Sequence, residues 1–435
     1  MKAIAELRKM FGGGASSSRQ FGMIFALVAI LVLFQYWTDG LTLQPGNLIA
    51  LVSQYSYILI LAIGMVMVII AGHIDLSVGS VAAFSGIVVA TAMDTWSLPW
   101  PAAIVLGLVV GILIGMWQGF WVAYVGVPAF IVTLAGMLIF RGGNQVIGSA
   151  ATVPVPEGFQ YIGAGFLPEV GPDTGYSNLT LLLGAGLCLI IAGRELLLRR
   201  TQARLGAAMA PLWVSAVKMV LLLGVVGLFT LRFASGRVGT SFPISGIILG
   251  VLVFVYAFIT RNTILGRNVY AVGGNAHAAE LSGVNSRRVS FLVMTNMSML
   301  AALAGMIFVA RSTASGPQDG LNWELEAIAA VFIGGAAVSG GVGTVLGSII
   351  GGLVIAVLNN GLQLLGVGSD QVQIIKGLVL LMAVALDVYN KSQGKPSLTG
   401  YLTRRLHAEP EQGPTGLAPT SGTPDSARPT SVASR

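Results

Sequence analysis

Residues 71–80 read Ala-Gly-His-Ile-Asp-Leu-Ser-Val-Gly-Ser, and this stretch decides how the rest of the chain is read. It sets two polar residues, His73 and Asp75, in the middle of a long apolar run, and Asp75 is the only acid between Asp39 and Asp94. An ionisable group at membrane depth is costly, and such groups line a pathway or face other helices. Gly72 and Gly79 bracket the pair. Two readings fit. One is a broken or re-entrant segment, whose irregular backbone is tolerated because protein or water surrounds it. The other is a tight cytoplasmic turn between two helices, with Asp75 capping the second through Ser77 and its neighbours.

Working outward, the 435-residue chain is 55% hydrophobic and 9% charged, with a mean hydropathy of +0.83. A soluble domain carries about 25% charged residues. Windows of about 20 apolar residues recur along most of the length, which makes this an all-α polytopic membrane protein. The single Cys188 can build neither a disulfide framework nor a zinc site. The net charge of +7 does not point to nucleic acid. Its basic residues sit between apolar segments, as membrane orientation requires. Lys2, Arg8, Lys9 and Arg19 precede the first apolar run at 21–37, and no small-residue cleavage site follows. That predicts a retained first helix, not a signal peptide.

Helices are expected near 21–37, 47–71, 78–93, 100–124, 127–147, 178–193, 212–231, 243–260, 289–311, 325–339, 344–366 and 371–389. That gives 10–12 transmembrane or half-spanning helices, those at 78–93, 178–193 and 325–339 being short enough to be half-spans. Three parts follow: a cytoplasmic N-terminal segment 1–20, a membrane domain 21–390 and a disordered cytoplasmic tail 391–435. The run at 12–18 reads as a flexible spacer, and the tail is too poor in apolar residues to fold. Lys and Arg cluster at the N-terminus, at 194–204, in the loop 261–288 and beyond Lys391, which sets those regions and both termini in the cytoplasm. The opposite loops hold Asp39, Asp94, Glu157, Glu169, Asp173, Asp319, Glu324 and Asp370, with Arg232 and Arg237 as exceptions. The loop 148–177 has no Lys or Arg and lies outside.

Residues 62–81 and 327–345 echo one another: each is an apolar helix that breaks into a Ser/Gly turn and restarts. Paired interrupted segments in two related halves point to a transport pathway, although any two glycine-rich membrane segments also look alike. The loop 261–288 is the second informative stretch. Asn275 can cap a short helix over Ala276–Ser282, with Gly283 as its stop. A capped helix on the cytoplasmic face is a docking element for a soluble partner. Gly273 and Gly274 lack the Gly-Lys-Ser/Thr of a phosphate-binding loop, so any ATP is handled by another chain. No catalytic set, metal site or cofactor site is expected, because His73, His277 and His407 fall in regions that cannot converge. Lys218 and Lys376 are expected to snorkel to the interface. Gln118, Asn144, Asn359 and Asn360 lie within apolar runs. Amides suit a hydroxyl-rich solute in a pathway, and they also serve as glue between helices. Asn359 and Asn360 point about 100° apart on a helix, so one is expected to face the pathway and the other a neighbour.

Four ordered motifs then carry a family resemblance. Gly72 to Ser80, Val127 to Leu134, Tyr270 to Gly283 and Glu326 to Gly366 resemble the ribose/xylose/arabinose-type permeases of bacterial ABC importers. The likeness covers roughly residues 45–390 and, through the stretch 194–242 and the ending Gln373 to Tyr389, is similar to the xylose and multiple-monosaccharide branch. His73 departs from the small or acidic residue more usual there. The resemblance implies a permease in the bacterial plasma membrane that pairs with a second copy of itself. A cytoplasmic ATPase would dock at Gly273, Gly274, Asn275, Ala278, Ala279, Glu280, Leu281, Ser282 and Gly283, and an extracytoplasmic sugar-binding protein would deliver a monosaccharide. Rival readings are a same-type permease for a branched-chain amino acid or nucleoside, and an ion-coupled secondary transporter. The latter needs an ionisable relay, for which only Asp75 is well placed in the sequence.

Overall fold

The structure, a computed structural model, describes residues 15–206, 212–236 and 239–392. The glycines at 12–14, Arg237 and the tail beyond Ser392 lie outside these residues. In chain order the helices are α1 (Ala15–Trp37), α2 (Pro45–Ile70), α3 (Val78–Asp94), α4 (Trp100–Phe120) and α5 (Ala129–Ile147). After these come α6 (Glu157–Ala164), α7 (Asn178–Arg204), α8 (Leu212–Ala234), α9 (Ile244–Asn262), α10 (Ile264–Gly274) and α11 (Ala276–Leu281). The last are α12 (Ser286–Ser312), α13 (Trp323–Ile333), α14 (Val345–Leu364) and α15 (Ser369–Ser392). Among the described residues, eight helices are long and apolar enough to cross a membrane, and Gly22–Trp37 and Val78–Asp94 are shorter apolar helices.

Helix α2 is the axis of the bundle. It starts with Pro45 in its first turn, where a missing N–H costs nothing, and runs 26 residues, with Asn47, Ser53, Gln54 and Ser56 in its first half and only apolar residues from Ile58 onward. A helix that is apolar all round belongs in the interior, and its residues from Ile58 to Ile70 are all buried. Helix α12 packs along it and also along α4. Gly107, Gly111, Gly115 and Gly119 recur every fourth residue on α4, and side chains there would collide with Met306, Ala302, Thr295 and Phe291 of α12. Small residues at that spacing let membrane helices approach backbone to backbone. The two halves are also stitched outside the helices, where β1 (Val153–Pro154) pairs antiparallel with β2 (Ala314–Ser315).

Several expectations need correction. The segment expected at 178–193 as a half-span is the 27-residue α7, which carries the helix on through Arg194, Arg199, Arg200 and Arg204. Glu195 and three leucines are good helix formers, and Glu195 pairs with Arg199 one turn on, at 3.8 Å. Lys218 of α8 meets Glu195 as well, at 3.2 Å, so it is paired as well as exposed. The spacer read at 12–18 is helical from Ala15 onward. The segment expected at 325–339 stops at Ile333, where Gly334 and then Gly335 (φ +81°) end the helix. Glu324, read as a loop residue, is in the first turn of α13 and buried. Helices α6 and α10 occupy stretches read from the sequence as loop.

Candidate functional site

The break after α2 is built as a helix stop followed by a buried carboxylate turn. Gly72 adopts φ +85°, its N–H donates to Ile69 O, and the His73 N–H donates to Val68 O at 3.0 Å. These are the two bonds of a Schellman stop, which the left-handed glycine permits. Asp75 is fully buried, and its Oδ1 accepts both the Ser77 N–H at 2.8 Å and the Ser77 hydroxyl at 2.6 Å. Ser77 is the N-cap of α3, and Gly79 lies just inside that helix. The break lies inside the protein, and Asp75 fixes the residue that precedes the next helix. Asp75 Oδ2 has no partner among the described residues. His73 Nε2 is 2.9 Å from Ser290 Oγ.

Gln118 completes this turn. Its Nε2 donates to Ser77 Oγ at 2.8 Å, and its Oε1 accepts from Ser298 at 3.5 Å, so one polar chain ties the break to α4 and α12. The other amides are also buried. Asn144 donates to the carbonyls of Gly316 and Pro317, holding the β2–α13 connection. Asn360 and Asn47 exchange amide bonds at 2.8 and 2.9 Å. Asn359 is buried beside Asn360 in sequence, and its Oδ1 has no partner among the described residues.

The loop 261–288 folds into two capped helices. Thr263 caps α10 through Gly266 N, and Asn275 caps α11 by accepting the Ala278 N–H at 3.0 Å. Gly283, at φ +84°, ends the turn after α11. Ala279 is the buried contact of α11, while Ala278, Glu280, Leu281 and Ser282 face outward. Leu281 is 79% exposed, a large apolar side chain presented on a polar helix. Glu280 bonds to Ser286.

Gly273, at the end of α10, is where this loop meets the transmembrane bundle. A Cβ at Gly273 would overlap the Ile70 carbonyl and stand 2.8 Å from Gly341 N. Gly341 N in turn donates to Ile70 O at 2.9 Å. A Cβ on Gly340 would come within 3.2 Å of Gly72 Cα, and one on Gly341 within 2.8 Å of Gly274 Cα. Tyr270 adds a bond from its hydroxyl to Gly343 O at 2.7 Å. Burial pushes its phenol above the usual range, which keeps it a neutral donor. The break after α2 (71–77) and the break after α13 (334–344) thus touch the same turn of the 261–288 loop, backbone on backbone.

Comparison with known proteins agrees with this architecture. Residues 47–384 match the family described as "branched-chain amino acid transport system / permease component". The chain belongs to this permease family. The permease is 39% identical over 374 residues to the xylose transport system permease protein XylH of Haemophilus influenzae, an alignment covering 85% of this chain and 96% of that protein. XylH of Escherichia coli K12 is 38% identical over 388 residues, covering 88% and 95%. The ribose import permease protein RbsC of Escherichia coli K12 is 33% identical over 374 residues, covering 85% and 94%. No solved structure matches the chain.

Two ion pairs in the permease escaped the sequence reading. Glu324 and Glu326, in the first turn of α13, reach opposite flanks: Glu324 pairs with Arg141 of α5 at 3.9 Å, and Glu326 with Lys376 of α15 at 2.6 Å. Lys376 therefore does not snorkel away. Asp75 is not alone among ionisable groups within the apolar runs either. The signal was present, since Arg141, Glu326 and Lys376 all interrupt apolar runs as Asp75 does.

Proposed function

We propose that this permease is the membrane-spanning subunit of an ATP-binding-cassette importer that carries a monosaccharide, xylose-like or one of several sugars, into the cytoplasm. The observation that carries the reading is the alignment with xylose permeases along nearly their whole length. The family's description names branched-chain amino acids, but these relatives are sugar permeases. Two copies would form the pathway in a bacterial plasma membrane, both termini inside. An ATPase would dock on the outward face of α11, at Asn275, Ala278, Glu280, Leu281, Ser282 and Gly283, and a sugar-binding protein would deliver the solute opposite. Gly273 would pass the motion on. A rocking α11 moves α10, and through Gly273 it displaces Ile70 and Gly341 together, so both helix breaks shift in one step. Such a motion biases a bistable bundle between two states. Asn359, whose Oδ1, like that of Asn144, has no partner among the described residues, would face the solute. Asn360, Gln118 and Asn144 hold helices and turns.

The test is reconstitution with the ATPase and binding protein, with cysteines at Ala278 or Ser282. ATP-dependent D-xylose uptake and cross-linking to the ATPase are expected. Uptake of L-leucine without D-xylose would overturn the sugar reading. Labelling of those cysteines from outside would overturn the docking face.

A further inference from the structure

A cavity of about 450 Å³ lies between the flanks of α13, α14 and α15, with Tyr57 of α2 at its back. Ligand pockets span about 300–1,000 Å³, so it has room for a small solute. Gln373, Lys376, Gly377 and Leu380 all line it. They fall at i, i+3, i+4 and i+7, so one whole face of α15 is turned to the cavity. From α13 come Glu326 and the Trp323 ring, whose centroid is 4.5 Å from that of Tyr57.

The wall chemistry is unlike that of a lipid-facing crevice. Lys376 and Glu326 keep 25% and 20% of their side chains open. Ionisable groups set among apolar helices face a bundle interior or a water-filled cavity. The pair is net neutral. A solute with a net charge would bring one uncompensated charge into it. A hydroxyl can instead donate to Glu326 and accept from Lys376 or the Gln373 amide without separating them. Tyr57 and Trp323 supply an apolar wall for the C–H face of a ring.

We propose that this cavity is a binding subsite for an uncharged monosaccharide on its way through the permease, gripped by the Glu326–Lys376 pair, Gln373 and the Tyr57–Trp323 wall. It rests on the sugar-importer reading and adds where in the chain the solute is held.

The test fills the cavity without touching its polar groups. A Cβ at Gly377 meets nothing within 4 Å, so larger side chains there enter open space. Gly377→Ala, Gly377→Val and Gly377→Leu are reconstituted with the ATPase and binding protein, and uptake of D-xylose, D-ribose and L-leucine is measured beside the unmodified complex. Maximal sugar uptake should fall stepwise with side-chain volume, tenfold or more at Leu. The concentration of loaded binding protein giving half-maximal rate should not change. Glu326→Gln should slow uptake with the same signature. If the Leu variant does not assemble, Val decides. A flat series in a sugar-transporting complex overturns the subsite alone, whereas an unmodified complex that carries leucine and no sugar overturns the importer reading beneath it.

Discussion

Gly273 and Gly274 are neighbours of one residue type, and the structure assigns them opposite tolerance. A methyl at Gly273 overlaps the Ile70 carbonyl and comes within 2.8 Å of Gly341 N, whereas a methyl at Gly274 meets nothing within 4 Å. Neither has the positive φ that only glycine adopts easily, so the difference is one of space alone. Accommodating Ala at Gly273 requires α10 to back away from both helix breaks, because the atoms in the way are backbone. Overpacking of this kind costs about 1–3 kcal/mol. Parting the two breaks also stretches the Gly341 N–H to Ile70 O bond, worth about 1 kcal/mol. The sum is small against the packing of α2 and α12, so the bundle stays folded and the strain falls on the joint. The assay is the number of sugars imported per ATP hydrolysed by the reconstituted complex. Gly273→Ala should lower that ratio at least fivefold, with the ATPase still bound and still hydrolysing. Gly274→Ala should leave it unchanged. Equal behaviour of the two variants would refute the joint, since only Gly273 has a neighbour to push. Tyr270→Phe, which removes the bond to Gly343 O, should give a milder version of the same loss.

Asp75→Ala strips two bonds from Ser77 and should lower uptake with the complex still assembled, whereas Asp75→Asn keeps an acceptor oxygen and should retain part of it; normal uptake by the Ala variant would reduce the turn to ordinary capping. Asn360→Leu should destabilise the detergent-solubilised permease to heat, by about 1–3 kcal/mol, because it removes both bonds to the half-buried amide of Asn47 and leaves that amide only its donation to Thr42 O. The double change Asn47→Leu with Asn360→Leu should recover most of that loss. Unchanged stability with abolished uptake in the single variant would instead give Asn360 a place in the pathway.

What the sequence made legible follows the physics of each feature. Long apolar windows report on a bilayer of fixed thickness, and each expected segment contains a helix, although the one at 325–339 is helical only to Ile333. The stop at Gly72 and the cap at Asn275 are local, fixed by residues a few positions apart, and both stand where the residue types placed them. The end of α7 was not legible because arginines mark the membrane boundary without ending a helix. Helix α10 was hidden for a related reason: Arg267 within it and the arginines on either side gave the look of a connector. The joint could not be read at all. Ile70, Gly273 and Gly341 belong to three separate stretches, and only the fold shows that their backbones touch.

The amides and the ion pairs exchange roles once the structure is seen. From the sequence, uncharged amides in apolar helices are the natural partners of a hydroxyl-rich solute. In the fold, Gln118, Asn144 and Asn360 are committed to Ser77, to the Gly316–Pro317 carbonyls and to Asn47. A donor already bonded in a dry interior has nothing to offer a passing sugar, because releasing its partner costs what the sugar would return. The paired charges of Glu326 and Lys376 are different. Each carries more hydrogen-bonding capacity than one contact uses, since an ammonium has three donors and a carboxylate about four acceptor positions. Both remain partly open to the cavity. A solute can add to that pair without dismantling it. A neutral site that holds weakly and releases readily is what conduction needs, because a pathway that binds its cargo tightly would trap it.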